Sequence, residues 1–290
     1  MSQLPDDTHI GHAHLQVADL ERSLRFYRDL VGFREVSRRD GTGVLSATGK
    51  LPGHIILTEH PGARPKPRRT TGLFHVAIRL PSRYELARVF RHLVENRWPF
   101  GGFSDHKVSE ALYLADPDGN GLELYRDRPR DRWPLRNGMV EMTTDPLDVD
   151  ALLAEAGDEA WSGIAPGTDI GHVHLHVAHL RDAEAFYCDL LGLEVMQRSY
   201  PGALFVSAGG YHHHIGLNIW AGEGAPPPPP DAVGMLSFSL DIPDRAAWQR
   251  VVDRVQTAGV KVEARREQEG MASVLVRDPS GNGVESATAD

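Results

Sequence analysis

The sequence predicts an α+β protein assembled from four copies of one βαβββ unit, set out as two duplicated halves. Three observations carry this. The chain overlies itself at an offset of about 160 residues, bringing Ile10-Gly11-His12-Ala13-His14-Leu15 onto Ile170-Gly171-His172-Val173-His174-Leu175 and Phe26-Tyr27 onto Phe186-Tyr187. Inside each half an alternating strand, an amphipathic helix and several short strands with turn residues between them occur twice. The turns Asp116-Pro117-Asp118-Gly119-Asn120-Gly121 and Asp278-Pro279-Ser280-Gly281-Asn282-Gly283 each feed the last strand of a half.

The first unit begins near residue 9, with an alternating strand through Val17 and a helix near 20–31. The second begins near 72 with its helix near 82–96, and its last strand carries Glu123 between Leu122 and Leu124. Residues 1–127 form the N-terminal domain on this reading. Residues 128–168, with Pro129, Pro134 and a short helical pattern at Val149–Ala156, form a linker, and residues 169–290 form the C-terminal domain. The third unit begins near 169 with a helix near 180–191; the fourth begins near 233 with a helix near 244–258. The run Pro226–Pro230 predicts an extended polyproline connection between them.

With 31 Lys+Arg against 40 Asp+Glu the net charge is -9, which disfavours a nucleic-acid partner. The one basic run, Arg64-Pro65-Lys66-Pro67-Arg68-Arg69, is broken by two prolines and reads as a solvated loop. Cys188 is the single cysteine, so no intramolecular disulfide forms, as suits a reducing compartment. It sits in Phe186-Tyr187-Cys188-Asp189-Leu190, where helix packing explains it. Neither a leader pattern nor a run of 18 apolar residues is present, so the expectation is a soluble, cytoplasmic protein without a membrane partner.

A strand alternates its faces, so His12 and His14 share one, and so do His172, His174 and His176. The second unit's first strand offers His75. A carboxylate such as Glu123, aimed inward beside a histidine, needs a partner, and a cation serves. Two neutral imidazoles and one carboxylate leave open positions, which suits Fe(II) holding both a substrate and dioxygen. A closed zinc site would need four ligands and usually cysteine.

The chain resembles the vicinal oxygen chelate superfamily, which includes glyoxalase, bleomycin-resistance and extradiol-dioxygenase proteins. Residues Asp105 to Glu123 resemble the extradiol ring-cleavage fingerprint, in which a histidine, a tyrosine, Asp-Pro-x-Gly and a ligand glutamate follow one another; Ser104 departs from the usual residue there. The resemblance implies two half-barrel-type, glyoxalase-like domains and a catechol 2,3-dioxygenase-like activity on a small catecholic substrate and O2. The cofactor would be Fe(II), with Mn(II) second, and homo-oligomers are common among such proteins. It gives His75 and Glu123 as ligands, Tyr113 as a hydrogen-bond donor to the substrate oxygen, and His106 as a group near the cavity mouth. Each has a plainer role open to it: Tyr113 as a core aromatic, His106 as a turn residue.

The third ligand should come from the first strand of the unit that pairs with the second. His12 ranks first, because its spacing resembles that of family members whose neighbouring units pair. His172 ranks second. A site wholly in the C-terminal half, from His172, His214 and Glu285, ranks third, since Ser237 and Leu275 stand where the second unit has His75 and Tyr113. The run His212-His213-His214 resembles the strand that supplies the acid–base histidine of extradiol enzymes; His54 is the first unit's counterpart of His214, and either would accept and return a proton. Two other classes stay open. A glyoxalase-type isomerase usually draws two carboxylates from its paired units, and Ile56 stands at the first unit's carboxylate position. A bleomycin-resistance-like binding protein needs no metal, and leaves the series His75, His106, Tyr113, Glu123 unexplained.

Overall fold

Alternating apolar residues and capped helices build each unit much as the sequence predicts. The structure is a computed structural model, and it describes residues 4–268 and 270–289. The first unit runs β1 (His9–Val17), α1 (Leu20–Arg25), β2 (Arg34–Arg39), β3 (Thr42–Ser46) and β4 (Ile55–Glu59). The second runs β5 (Gly72–Arg79), α2 (Arg83–Glu95), β6 (Phe100–Asp105), β7 (Ser109–Ala115) and β8 (Gly121–Asp127). The connecting segment holds a small hairpin, β9 (Leu135–Arg136) with β10 (Met139–Val140), and α3 (Val149–Ala154). The third unit has β11 (Asp169–His176), α4 (Leu180–Glu184), β12 (Glu194–Gln197), β13 (Ala203–Ser207) and β14 (Ile215–Asn218). The fourth has β15 (Gly234–Asp241), α5 (Arg245–Thr257), β16 (Ala264–Gln268), β17 (Met271–Arg277) and β18 (Gly283–Ala289).

Local chemistry starts and stops these elements. Asp19, Ser82 and Asp244 cap α1, α2 and α5 by accepting from the backbone N–H three residues on. The helices expected over 20–31 and 180–191 each pass from an α-turn into a π-turn, at Phe26–Leu30 and Ala185–Leu190. Those wider turns carry Tyr27 and Tyr187, whose hydroxyls donate to Asp116 and Asp278 at 3.2 and 3.0 Å. The first helix of each half is thereby tied to the Asp-Pro-x-Gly turn of that half. The helices cover the sheets with buried side chains such as Leu24, Leu86, Val89, Val251 and Trp248.

Two eight-stranded sheets result, in the orders β16-β17-β18-β15-β1-β4-β3-β2 and β12-β13-β14-β11-β5-β8-β7-β6. The fold is α+β with the expected duplication, but neighbouring units do not pair. The second unit joins the third through antiparallel β5 and β11, and the first joins the fourth through β1 and β15. The division into 1–127 and 169–290 follows the repeat, and neither sheet stays within it.

Polar latches at the strand ends accompany this choice of partner. Asp169 stands opposite Arg79, which reaches it through Nε and Nη2 at 3.0 and 2.7 Å, while His9 stands opposite Asp241 at 4.0 Å. By the repeat, pairing within halves would set Asp169 against Asp241 and His9 against Arg79, which are repulsive or unproductive pairs. At the far end of β1, Gln16 donates to the carbonyls of Pro230 and Ala232 at 3.0 and 2.8 Å, which adds to the join with the fourth unit.

Candidate metal centre

Three strands of one sheet bring the site together. In β11 against β5, His174 lies opposite His75 and His172 opposite Ala77; in β5 against β8, Ala77 also lies beside Glu123. Ala77 thus sits between His172 and Glu123 on one face and offers only a methyl, so the two longer side chains meet above it. Glu123 Oε2 lies 3.3 Å from His172 Nε2 and 3.0 Å from His75 Nε2. One donor atom from each of His75, Glu123 and His172 fits within 4.8 Å of the others, and all three residues are buried.

The approach of His75 Nε2 to the carboxylate has no hydrogen-bond geometry, and the atom is buried without another partner. Such an orphan is costly unless something else meets it. Two imidazoles and a carboxylate converging from three strands fit a divalent cation of the Fe(II) or Mn(II) kind. Electrostatics favours the ligating forms. Burial drives the pKa of His172 down to about 4 against the pull of Glu123, so its ring is neutral at neutral pH. Burial would raise the Glu123 carboxyl, but His172 and His75 hold it well below the ordinary carboxylate range.

A cavity of about 240 Å³ opens over this trio. Its polar groups include Tyr113, His106 and His213, and its apolar wall includes Phe74, Phe205 and Trp220. Tyr113 lies opposite Glu123 on β7, and burial followed by the nearby carboxylate pushes its pKa well up, so it stays a phenol. His106 bridges it to the backbone: Nδ1 lies 2.5 Å from the Thr143 carbonyl and Nε2 2.6 Å from the Tyr113 hydroxyl. A carbonyl can only accept, so Nδ1 carries the proton, and Nε2 of the neutral ring accepts from the phenol.

The histidine run separates into three tasks. His212 Nε2 donates to Asp127 at 2.9 Å, and its Nδ1 lies 2.8 Å from His213 Nδ1. A neutral His212 therefore accepts from His213, which leaves His213 Nε2 without a proton. His213 lines the cavity, its ring centroid 4.0 Å from that of His172. His214, expected to serve as the acid–base group, is directed elsewhere. Its Nδ1 meets Ser207 Oγ at 2.9 Å and the Ala208 N–H at 3.3 Å, and its ring stacks on Tyr211. Residues 209–214 precede β14 and do not belong to a strand, so strand parity does not assign their faces.

The remaining expected residues lie in the other sheet. His12 Nε2 is 3.6 Å from Glu285 on β18, because the first unit pairs with the fourth; the expected trio of His12, His75 and Glu123 is not brought together. There Ser239 takes the place of Ala77 and binds the His12 backbone N–H at 2.9 Å, and Ser237 takes the place of His75. The C-terminal alternative of His172, His214 and Glu285 is likewise split between the two sheets. His54 accepts from the Ala47 N–H at 3.3 Å beside β4, away from the cavity. Sequence reasoning missed the connecting segment: Met142, Thr143 and Thr144 line the cavity, held there by paired backbone hydrogen bonds between Asp105 and Asp145. Nothing in those residue types signals that position.

Comparison with known proteins gives a consistent picture. The Glyoxalase/Bleomycin resistance protein/Dioxygenase superfamily matches residues 9–124 and 169–286. Over 283 residues the chain is 47% identical to a catechol-2,3-dioxygenase of Bacillus subtilis (strain 168), covering 96% of each. A solved Bacillus subtilis subsp. subtilis structure superposes with a TM-score of 0.69 at 15% identity, covering all of this chain and 86% of that one. Glyoxalase I from Zea mays superposes at 0.58 and 17% identity, covering 97% and 92%. These last two speak for the fold alone.

Proposed function

Because this chain belongs to the Glyoxalase/Bleomycin resistance protein/Dioxygenase superfamily, we propose that it is an extradiol ring-cleaving dioxygenase that opens a catechol-type substrate with O2. His75, Glu123 and His172 would hold its metal, Fe(II) by preference with Mn(II) the alternative. The observation that carries this reading is the buried convergence of those three side chains at the floor of a cavity, with His75 Nε2 unpartnered. Near-full-length likeness to a protein named for catechol 2,3-cleavage supports it. A single carboxylate in the trio, where an isomerase of this superfamily usually draws two, favours oxygen chemistry.

When bound, the metal would supply Lewis acidity toward the substrate and O2. The chain's own residues do the rest. His213, with Nε2 free of a proton, is placed to accept one from the entering diol and return it later; Asp127, acting through His212, sets that tautomer. Tyr113, kept protonated by burial, presents a phenol beside Glu123, and His106 fixes where it stands. Burial of the histidine wall keeps water from the reacting centre.

The test is anaerobic loading with Fe(II), then catechol and air, following the yellow ring-fission product. Wild-type protein is expected to form it and Glu123→Ala to fall to background. Absence of product from protein carrying tightly bound iron, across several catechols, would contradict the proposal.

A further inference from the structure

We infer that the substrate is a neutral catechol bearing hydrogen or small apolar ring substituents, and that the cavity rejects catechols carrying a carboxylate. This rests on the ring-cleavage reading above, and it comes from the chemistry of the wall. Among the described residues that line the cavity there is no lysine or arginine, and the one carboxylate, Glu123, is committed to the two histidines. A carboxylate substituent would therefore lose its water without gaining a counter-charge, which is the costly case of burial.

Three cations outside the lining are engaged elsewhere. Lys107 Nζ lies 3.8 Å from Glu141, and Arg128 Nη2 lies 2.5 Å from Asp105. Lys66 Nζ lies 3.3 Å from the carbonyl of Leu73, to which it donates. Nor do the wall histidines stand in for them. His106 has both nitrogens occupied, and His174 is packed against His75 with 5.0 Å between ring centroids.

One side of the wall is aromatic, and Ser104, Ser109, Thr143 and Thr144 add only uncharged hydroxyls elsewhere. Trp220 packs edge-on against Phe74 at 5.4 Å and lies 6.0 Å from Tyr200, while Phe205 packs against His174 at 5.6 Å. The aromatic side gains from apolar substituents and offers an anion no counter-charge. At about 240 Å³ the cavity also falls below the ~300–1,000 Å³ usual for small-molecule sites, which suits a single ring.

The experiment compares 4-methylcatechol with 3,4-dihydroxybenzoate on the Fe(II)-loaded protein, first by anaerobic calorimetry and then by kcat/KM in air. The neutral ligand is expected to bind on the order of 100-fold more tightly, with kcat/KM following. Equal binding of the acid would overturn this inference and leave ring cleavage standing. Selective binding of the neutral ligand without turnover would uphold the inference and overturn ring cleavage; failure to bind either would overturn both. In Trp220→Arg, at a side chain 45% exposed, the ratio should narrow about tenfold. A ratio that does not move would show that the missing counter-charge is not the cause, and would overturn the inference.

Discussion

At the scale of single residues, the division of labour along His212-His213-His214 is the most informative feature, because three identical side chains are given three environments. Of the three only His213 lines the cavity, and burial in the histidine cluster pushes its pKa well below the ordinary value, so it is neutral at neutral pH. His214, pushed down to about 3 by burial, is neutral too, but it works as an acceptor for the Ala208 N–H and a partner for Ser207. Steady-state kinetics, read beside thermal unfolding, should separate them. His213→Ala is expected to lower kcat by ~10²–10⁴, with roughly 1–3 kcal/mol of stability lost as well because His212 loses a buried partner. His214→Ala is expected to retain most of its kcat while losing roughly 1–3 kcal/mol of stability, since Ser207 and Ala208 lose a buried partner. The opposite pattern would return the proton-transfer role to His214. A histidine on the cavity wall was legible in the run itself. Which of the three it is was not, because the strand that would have fixed their faces begins one residue later, at Ile215.

At the scale of elements, the turn Asp-Pro-x-Gly-Asn-Gly does two jobs, and its second glycine serves the site. A Cβ on Gly121 would lie 2.0 Å from the carbonyl oxygen of Phe74, and one on Gly283 would lie 2.2 Å from that of Leu236. Each last strand therefore runs against the first strand of its own unit at a distance only glycine permits. In the second unit that approach sets Glu123 against the strand carrying His75. Gly121→Ala must displace backbone, not a flexible side chain. It is expected to cost ~1–3 kcal/mol, as overpacked interiors do, and to weaken metal binding together with stability in paired unfolding and metal titrations. Stability loss with metal affinity intact would show that β5 and β8 do not set the ligand geometry. The strands, their turns and the inward aim of Glu123 were all legible, because alternation and turn chemistry are local signals. The π-turns at Phe26 and Ala185 were not, because they answer to the distant carboxylates of Asp116 and Asp278.

For the whole molecule, the decisive fact is that both sheets are built across the duplication, so the candidate centre draws two residues from the second unit and one from the third. The repeat concealed this: His12 and His172 sit in nearly identical strands, and nothing local to either selects between them. The choice goes with long-range complementarity at the strand ends, Arg79 with Asp169 and Asp241 with His9, which a register comparison of the four first strands would have revealed. The leftover pair, His12 with Glu285, keeps the outline of a second centre, with Ser237 in place of the third ligand. Metal content after desalting, measured for wild type, His172→Ala and His12→Ala, tests this account most directly. Wild type and His12→Ala should each keep about one Fe(II) per chain, while His172→Ala should lose it, in line with loss of one of three protein ligands. Retention of iron by His172→Ala, with its loss from His12→Ala, would contradict the cross-unit site.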